Sequence, residues 1–138
     1  MQFTIEQLQV LNLLRDHVAL NAKNKGFKEA PEGISEEVWN SPALDVIRAA
    51  VYSANQHGEA SEFWEAARKG KLGAPCDKAK DMIALNLPPL SCAAEEIADE
   101  LIRVLDKAAE FKVDVAEAVV NKMAYNATRP HKHGGKLA

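Results

Sequence analysis

The sequence has few of the residues that define several common protein classes. Only two of its 138 residues are cysteines, so neither a disulfide scaffold nor a four-cysteine zinc module is available. Seven glycines, six prolines and 6% aromatic residues make a sheet-rich fold unfavourable. Twenty acidic and 17 basic residues give a formal net charge of −3. This balance argues against binding to polymeric nucleic acid and gives no attraction to anionic membranes.

Long apolar runs are missing as well. No stretch approaches the roughly 18 uncharged apolar residues that a membrane span requires. The first ten residues lack the basic and then apolar regions of a signal peptide. We therefore expect a cytoplasmic protein in which Cys76 and Cys92 are free thiols, the alternative being a redox-sensitive clip. The 47% of hydrophobic and 27% of charged residues are typical of one folded domain over residues 1–138, with a basic tail over 129–138.

Capping residues and helical periodicity predict four long helices, and hence an all-α, four-helix-type bundle. The predicted helices run from Thr4 to about Gly26, from Ser41 to about Gly70, from Ser91 to about Lys112 and from Asp114 to about Thr128. A connection over residues 70–90 separates the second helix from the third, with one short helix expected near residues 77–85. Connections of this length inside small bundles are often functional.

Two carboxylates interrupt the apolar stripe of the second helix. Ile47 and Val51 begin a stripe that continues to Glu59, with Glu62 beside it. Either these acids line a site within the core, or the helix leaves the core at Gly58 and both acids lie in solvent. The periodicity favours neither alternative.

The third helix carries four acids within residues 95–100, including Glu96 and Asp99. Its apolar positions lie on the other side, so these acids could form an ordinary solvated face. Like charges at this spacing repel each other by tenths of a kcal/mol, and Arg103 can relieve Asp99. Together with Glu59 and Glu62, the two acids would place four carboxylates around one point, and oxygen ligands suit Mg²⁺ or Mn²⁺. A di-iron site would need Glu-x-x-His pairs, which this sequence lacks.

The fourth helix also changes character along one face. Val115 and Val119 begin a stripe that continues to Lys122, Asn126 and Arg129. This pattern indicates either an anion-binding pocket at one end of the bundle or a solvated helix terminus whose cations complement the helix dipole.

The combination of these motifs resembles the MazG-like family of all-α nucleoside triphosphate pyrophosphohydrolases, which includes dUTPase-like and dCTPase-like enzymes. The motifs are EASE at residues 59–62, EIAD at 96–99 with the following LIRVLD stretch after Glu100, and KMAYNATRP at 122–130. The segment NKGF at 24–27 is similar too, so the resemblance covers most of the chain.

The resemblance implies a Mg²⁺-dependent enzyme, with Mn²⁺ as a possible substitute, that hydrolyses a (d)NTP to the monophosphate and pyrophosphate. A metal-activated water would attack the α-phosphorus. The implied metal ligands are Glu59, Glu62, Glu96 and Asp99. One of them, Glu59 or Glu62, would orient the water.

The same resemblance implies how substrate is held and how the chain assembles. Lys122 and Arg129 would contact phosphates, and Asn126 the sugar or a phosphate. A homodimer or homotetramer is expected. The alternative function is a catalytically inactive helical oligomer that binds nucleotide or a protein partner.

Aromatic and histidine side chains give weaker signals. Trp39, Phe63 and Trp64 could stack on a base, although such residues more often lie in a core or an interface. His131 and His133 could reach a phosphate, although a solvated tail is the simpler interpretation.

Overall fold

The computed structural model describes residues 3–130, and the regular structure of this part is helical. Its elements are α1 (Ile5–Asn24), α2 (Glu36–Trp39), a 3-10 turn (Pro42–Leu44), α3 (Asp45–Arg68), α4 (Ala79–Ala84), α5 (Cys92–Glu110) and α6 (Val115–Ala127). Within residues 3–130 there is no strand, only an isolated bridge between Pro75 and Ser91. The all-α prediction is therefore confirmed for this part of the chain. None of its helices combines the length and apolar character needed to cross a membrane.

Local capping explains where the long helices begin. Thr4 and Gln7 form the predicted capping box of α1, and each side chain binds the backbone N–H of the other residue. The Ser91 hydroxyl accepts a hydrogen bond from the third residue of α5, and Asp114 caps α6 in the same way. Ser41 makes no such cap, and the chain passes through the 3-10 turn before α3 begins.

One helix was not predicted, whereas another continues through a glycine as predicted. α2 was not predicted, although Ser35 caps it through a hydrogen bond to the Val38 N–H. α3 continues through Gly58 without a break. The acids that follow this glycine therefore keep the helical register of the residues before it.

The long helices pack in the order α3–α5–α1–α6. α5 packs against α3 on one side and against α1 on another, and α6 packs against α1. Among residues 3–130, no packing of comparable extent joins α3 to α6. The four long helices of the expected bundle are present, but the described part of one chain does not close them into a ring.

Few side chains in this arrangement are fully buried, and several of those are polar. Leu105 of α5 and Ala116 of α6 are almost completely buried. Asn12 joins α1 to the start of α6, because its amide donates to Asp114 Oδ1 at 2.9 Å and its carbonyl accepts from the Val115 N–H at 2.8 Å. One neutral polar residue thus satisfies donors and acceptors at the start of α6.

Candidate metal and phosphate site

Three of the four predicted carboxylates come together between α3 and α5. Glu59 and Glu62 extend from α3 and Glu96 from α5, and each offers an oxygen within 4.8 Å of the other two. Residues three apart on a helix lie on the same side. Packing of α3 on α5 therefore brings Glu96 to the pair on α3.

The face of α3 that packs on α5 is not the predicted apolar stripe. Ile47 and Val51 remain 51% and 45% exposed, whereas Arg48, Tyr52 and Glu59 are buried or half-buried. Polar contacts across the interface account for the rotation, since Arg48 Nε lies 3.0 Å from a Glu110 oxygen and the Tyr52 hydroxyl 3.1 Å from the other. The prediction that Ile47 and Val51 face the core of this chain is wrong.

Glu59 is held in place by a cation on α5. Its side chain is 12% exposed, and Arg103 Nε donates a hydrogen bond to Glu59 Oε1 at 2.8 Å. The sequence led us to expect Arg103 to relieve Asp99, one turn before it on the same helix. In the structure its direct hydrogen bond goes across the interface to Glu59.

Ionisation of Glu96 and Asp99, the two predicted ligands on α5, is electrostatically unfavourable. Burial, followed by the negative charge of Glu62, raises the pKa of Glu96 above its ordinary value. Burial, followed by the charge of Glu59, raises the pKa of Asp99. Glu96 Oε2 is also buried without a hydrogen-bond partner among the described residues. A cation at this position would relieve each of these penalties.

Asp99 is adjacent to the three-oxygen cluster rather than part of it. It lies one helical turn after Glu96 on α5 and is half-buried. The acids of α5 therefore do not form the solvated face that periodicity alone allowed.

A cavity of about 310 Å³ adjoins this cluster. Glu62 and Glu96 line it on one side, and Ser61, Lys71 and Cys92 are among its other lining residues. Carboxylates and an ammonium group around one cavity are suited to a ligand that carries both a bound cation and negatively charged oxygens.

The predicted contacts on α6 are not brought to the carboxylates. Lys122, Asn126 and Arg129 are all exposed, and α6 packs against α1. The Lys122 ammonium lies 5.0 Å from the centre of the Tyr125 ring. His131, His133 and the tail after residue 130 lie outside the described residues.

The aromatic candidates are separated from each other. Trp64 is 65% exposed. Trp39, by contrast, lines a cavity of about 130 Å³ together with Phe27, Tyr52 and Arg103. Because Arg103 also binds Glu59, this aromatic cavity adjoins the carboxylate cluster.

A larger cavity, of about 650 Å³, lies near the start of α3 and the end of α5. Arg48 and Lys28 line it, but both are engaged within the fold. Lys28 Nζ lies 2.7 Å from Asp106, and hydrogen bonds to Asp106 and Tyr52 raise the pKa of Lys28 although burial opposes this shift. Arg48 precedes Glu59 by 11 residues, about 16 Å along the helix. This cavity is thus distinct from the carboxylate site.

Sequence analysis missed Lys71 and Lys78, both in the connection between α3 and α5. Lys78 Nζ binds the buried carboxylate of Glu95, and this hydrogen bond raises the pKa of Lys78. Asp77, Glu95 and Cys76 form a second group of possible metal ligands, but Lys78 already supplies a cation there. Cys76 and Cys92 are both free thiols. The unusual length of this connection was the sequence feature that could have pointed to the two lysines.

Comparisons with protein-family models, curated proteins and solved structures found no match to this chain.

Proposed function

We propose that this protein is a Mg²⁺-dependent nucleoside triphosphate pyrophosphohydrolase of the MazG-like type. The observation that carries the proposal is the cluster of Glu59, Glu62 and Glu96, in which one Glu96 oxygen is buried and has no hydrogen-bond partner within residues 3–130. The substrate would be a (d)NTP and the products its monophosphate and pyrophosphate.

The donor set fits a small, hard divalent cation. All three ligands are carboxylates, which suit Mg²⁺ and Mn²⁺ and leave positions for water and phosphate oxygens. The raised pKa values of Glu96 and Asp99 support the same assignment, because burial and the neighbouring acids outweigh the positive charges near them, Lys78 for both groups and Arg103 for Asp99. Mg²⁺ at this site would neutralise phosphate charge and lower the pKa of a water.

The two acids of α3 differ in what surrounds them, and this difference suggests separate roles. Arg103 fixes the orientation of Glu59 by donating a hydrogen bond to its Oε1. Glu62 is exposed, and no ion pair within residues 3–130 engages it. Glu62 is therefore the better acceptor for the proton of the attacking water. The water oxygen bonds to the α-phosphorus, and the bond to the bridging oxygen breaks as pyrophosphate leaves with the electron pair.

The aromatic cavity supplies a place for the nucleoside. Trp39 and Tyr52 line it, and Arg103 connects it to Glu59. A base stacked there would have its phosphates directed towards the carboxylates. Stacking on aromatic faces accepts every base, so this arrangement does not depend on base identity.

Exposed area supports assembly with further copies of the same chain. The chain exposes 10322 Å², whereas a compact 15.1 kDa monomer exposes about 7,100 Å². Ten residues outside the described range contribute at most about 1,600 Å² if extended. The remaining excess of accessible surface is about 1,600 Å². One partner of an obligate dimer buries an area of this size.

The assembly also gives Lys122, Asn126 and Arg129 a route to the substrate. α6 does not pack on α3 within the described chain, so these residues would reach the phosphates and sugar from a second copy. Their predicted roles are retained in this proposal as contacts made across an interface between copies.

Incubation with each canonical and modified (d)NTP and Mg²⁺, with pyrophosphate release as the readout, tests the proposal. Glu62→Gln and Glu96→Gln should each lower turnover by more than about 100-fold, since changes outside the ligand shell already cost 10–100-fold. Glu100→Gln is the matched control on α5 and should retain turnover. Absence of turnover with every nucleotide would refute the activity.

Calorimetry distinguishes the alternative function. An inactive nucleotide-binding oligomer would bind a triphosphate in a Mg²⁺-dependent manner and release no pyrophosphate. A chain that binds no nucleotide under these conditions would be a scaffold for a protein partner.

A further inference from the structure

The connection over residues 70–91 is fixed against the start of α5. The Cys92 N–H donates to the Ala74 carbonyl at 2.9 Å, and the Ala93 N–H donates to the Leu72 carbonyl at 3.0 Å. Cys76, a residue of this segment, is buried. The backbone of the connection therefore has a defined position relative to the carboxylates of α5.

Lys71 enters the carboxylate site from the first part of this connection. Its N–H donates to the Ala66 carbonyl at 2.9 Å, across Gly70, whose φ of 65° closes the end of α3. It lines the 310 Å³ cavity with Glu62 and Glu96. No ion pair within residues 3–130 engages Lys71.

The neighbouring Lys69, by contrast, forms an ion pair. Lys69 Nζ lies 2.7 Å from a Glu65 oxygen, one turn earlier on α3. The charge of Lys69 is thus already offset by an acid, which leaves Lys71 as the unpaired cation of this cavity.

Lys78 is the second lysine of the connection near these acids. It binds Glu95, and its charge lowers the pKa of Glu96 and of Asp99 against the factors that raise them. Glu95 and Glu96 are consecutive residues of α5, and Lys78 binds the first whereas Lys71 lines a cavity with the second. The two lysines therefore approach neighbouring positions of the acidic part of α5.

A triphosphate needs such cations at this site. Glu59, Glu62, Glu96 and Asp99 would repel its oxygens. The N-terminus of α5 offers little help, because Ser91 caps it and the first two N–H groups of the helix bind the connection.

We infer that the connection over residues 70–91 is the polyphosphate-binding element of the site, with Lys71 and Lys78 donating hydrogen bonds to phosphate oxygens beside the carboxylates. Each ammonium group has three N–H donors, so Lys78 can bind a phosphate oxygen as well as Glu95. This inference rests on the proposed function, since it takes a nucleoside triphosphate as the ligand. It assigns a role to two residues outside the motifs of the sequence.

The test compares Lys71→Gln, Lys71→Arg and the control Lys80→Gln, which changes an exposed lysine of the same connection. Lys71→Gln should raise the KM for the best triphosphate by about 10–100-fold, the ratio expected for one hydrogen bond between charged groups. Its kcat and the Mg²⁺ concentration for half activation should stay close to wild type. Lys71→Arg should restore most of the KM, and Lys80→Gln should behave as wild type.

Lys78 requires a compensated variant, because its removal alone leaves the buried Glu95 without a partner. The double variant Lys78→Gln/Glu95→Gln keeps a neutral hydrogen-bonded pair. It should raise the KM in the same way, whereas Glu95→Gln alone should not. A thermal melt of each variant shows whether it is folded.

Inorganic tripolyphosphate with Mg²⁺ separates the failure of this inference from the failure of the proposed activity. If the wild type hydrolyses no triphosphate, the proposed activity is wrong, and tripolyphosphate affinity still reports on the lysines. If Lys71→Gln and the double variant bind substrate and tripolyphosphate as tightly as Lys80→Gln does, the inference is overturned.

Discussion

Two sides of α5 differ in a way that reverses the usual distribution of polar and apolar residues. Its side towards α3 is lined by acids and paired cations, including the buried Asp106 and the Arg103–Glu59 pair. Elsewhere on the helix, Ile97 and Leu101, one turn apart, are 57% and 46% exposed. Most folded chains do the opposite, burying aliphatic residues and leaving charged ones in solvent.

The difference indicates separate purposes for the two surfaces. Ion pairs along the α3–α5 interface are directional, so they set the rotation of α3 and bring Glu59 and Glu62 to Glu96. Such pairs contribute specificity more than net stability. The exposed apolar side can gain stability only from another surface, which is why we assign it to a second copy of the chain.

The strongest test of the polar interface is Arg48→Ala. Arg48 is buried, binds the Trp39 and Ser41 carbonyls and lies 3.0 Å from Glu110, so its loss leaves a buried carboxylate without its partner. We expect unfolding to become easier by about 3–5 kcal/mol. Urea denaturation at fixed protein concentration measures this change.

Arg68→Ala is the control for that prediction, because Arg68 is an exposed residue of the same helix without an ion pair within residues 3–130. Its effect should stay within about 0.5 kcal/mol. Equal effects of the two variants would show that the polar interface does not determine the packing of α3.

The apolar side is tested by Leu101→Glu. Because Leu101 is 46% exposed in the single chain, each copy would lose about half of the roughly 1.5–3 kcal/mol that full burial provides. Two-fold symmetry doubles the loss, so association should weaken by at least about 10-fold. Sedimentation velocity over a dilution series provides the measurement. Leu101→Met, which keeps an apolar side chain of similar volume, should preserve the assembly. A wild-type chain that sediments as a monomer throughout would contradict the assignment.

The third helix contact, between α1 and α6, depends on a neutral polar residue. Asn12→Ala removes the hydrogen bonds to Asp114 and to the Val115 N–H at the start of α6. We expect a loss of about 1–2 kcal/mol and faster hydrogen exchange confined to α6. Asn21→Ala, an exposed change on the same helix, should leave both measurements unaltered. Uniformly faster exchange across all helices would instead indicate that α1 and α6 unfold with the whole chain.

The helices were predictable because their signals are local. Thr4, Ser91 and Asp114 cap the helices that they were expected to cap, and Gly70 ends α3 with a positive φ. Helix α2 is four residues long and has too few turns to show periodicity.

The faces of the helices were harder to predict, because they depend on contacts between distant residues. An apolar stripe at Ile47 and Val51 predicts burial without saying whether the same chain or another covers it. The rotation of α3 follows from contacts such as the pairing of Arg48 with Glu110, 62 residues away. The same limit applies to Lys71, since its approach to Glu96 follows from the path of the connection.

The smallest effect concerns the balance between stability and metal binding at the carboxylates. Because the pKa of Glu96 is raised in the folded protein, ionised Glu96 destabilises the metal-free fold. This penalty is absent below the ordinary carboxyl pKa of 4.5 and complete once the pH exceeds the raised value. In chelator, Glu96→Gln should therefore stabilise the protein at neutral pH by a few tenths of a kcal/mol, with no gain in acid.

Mg²⁺ should raise the melting temperature of the wild type more than that of the variant, because binding stabilises only the fold that holds the ion. Melting curves in chelator and in Mg²⁺ across this pH range, with Glu100→Gln as the control, measure both effects. A variant less stable than wild type in chelator would mean that Glu96 supports the fold rather than the cation, and the polar side of α5 would then be structural throughout.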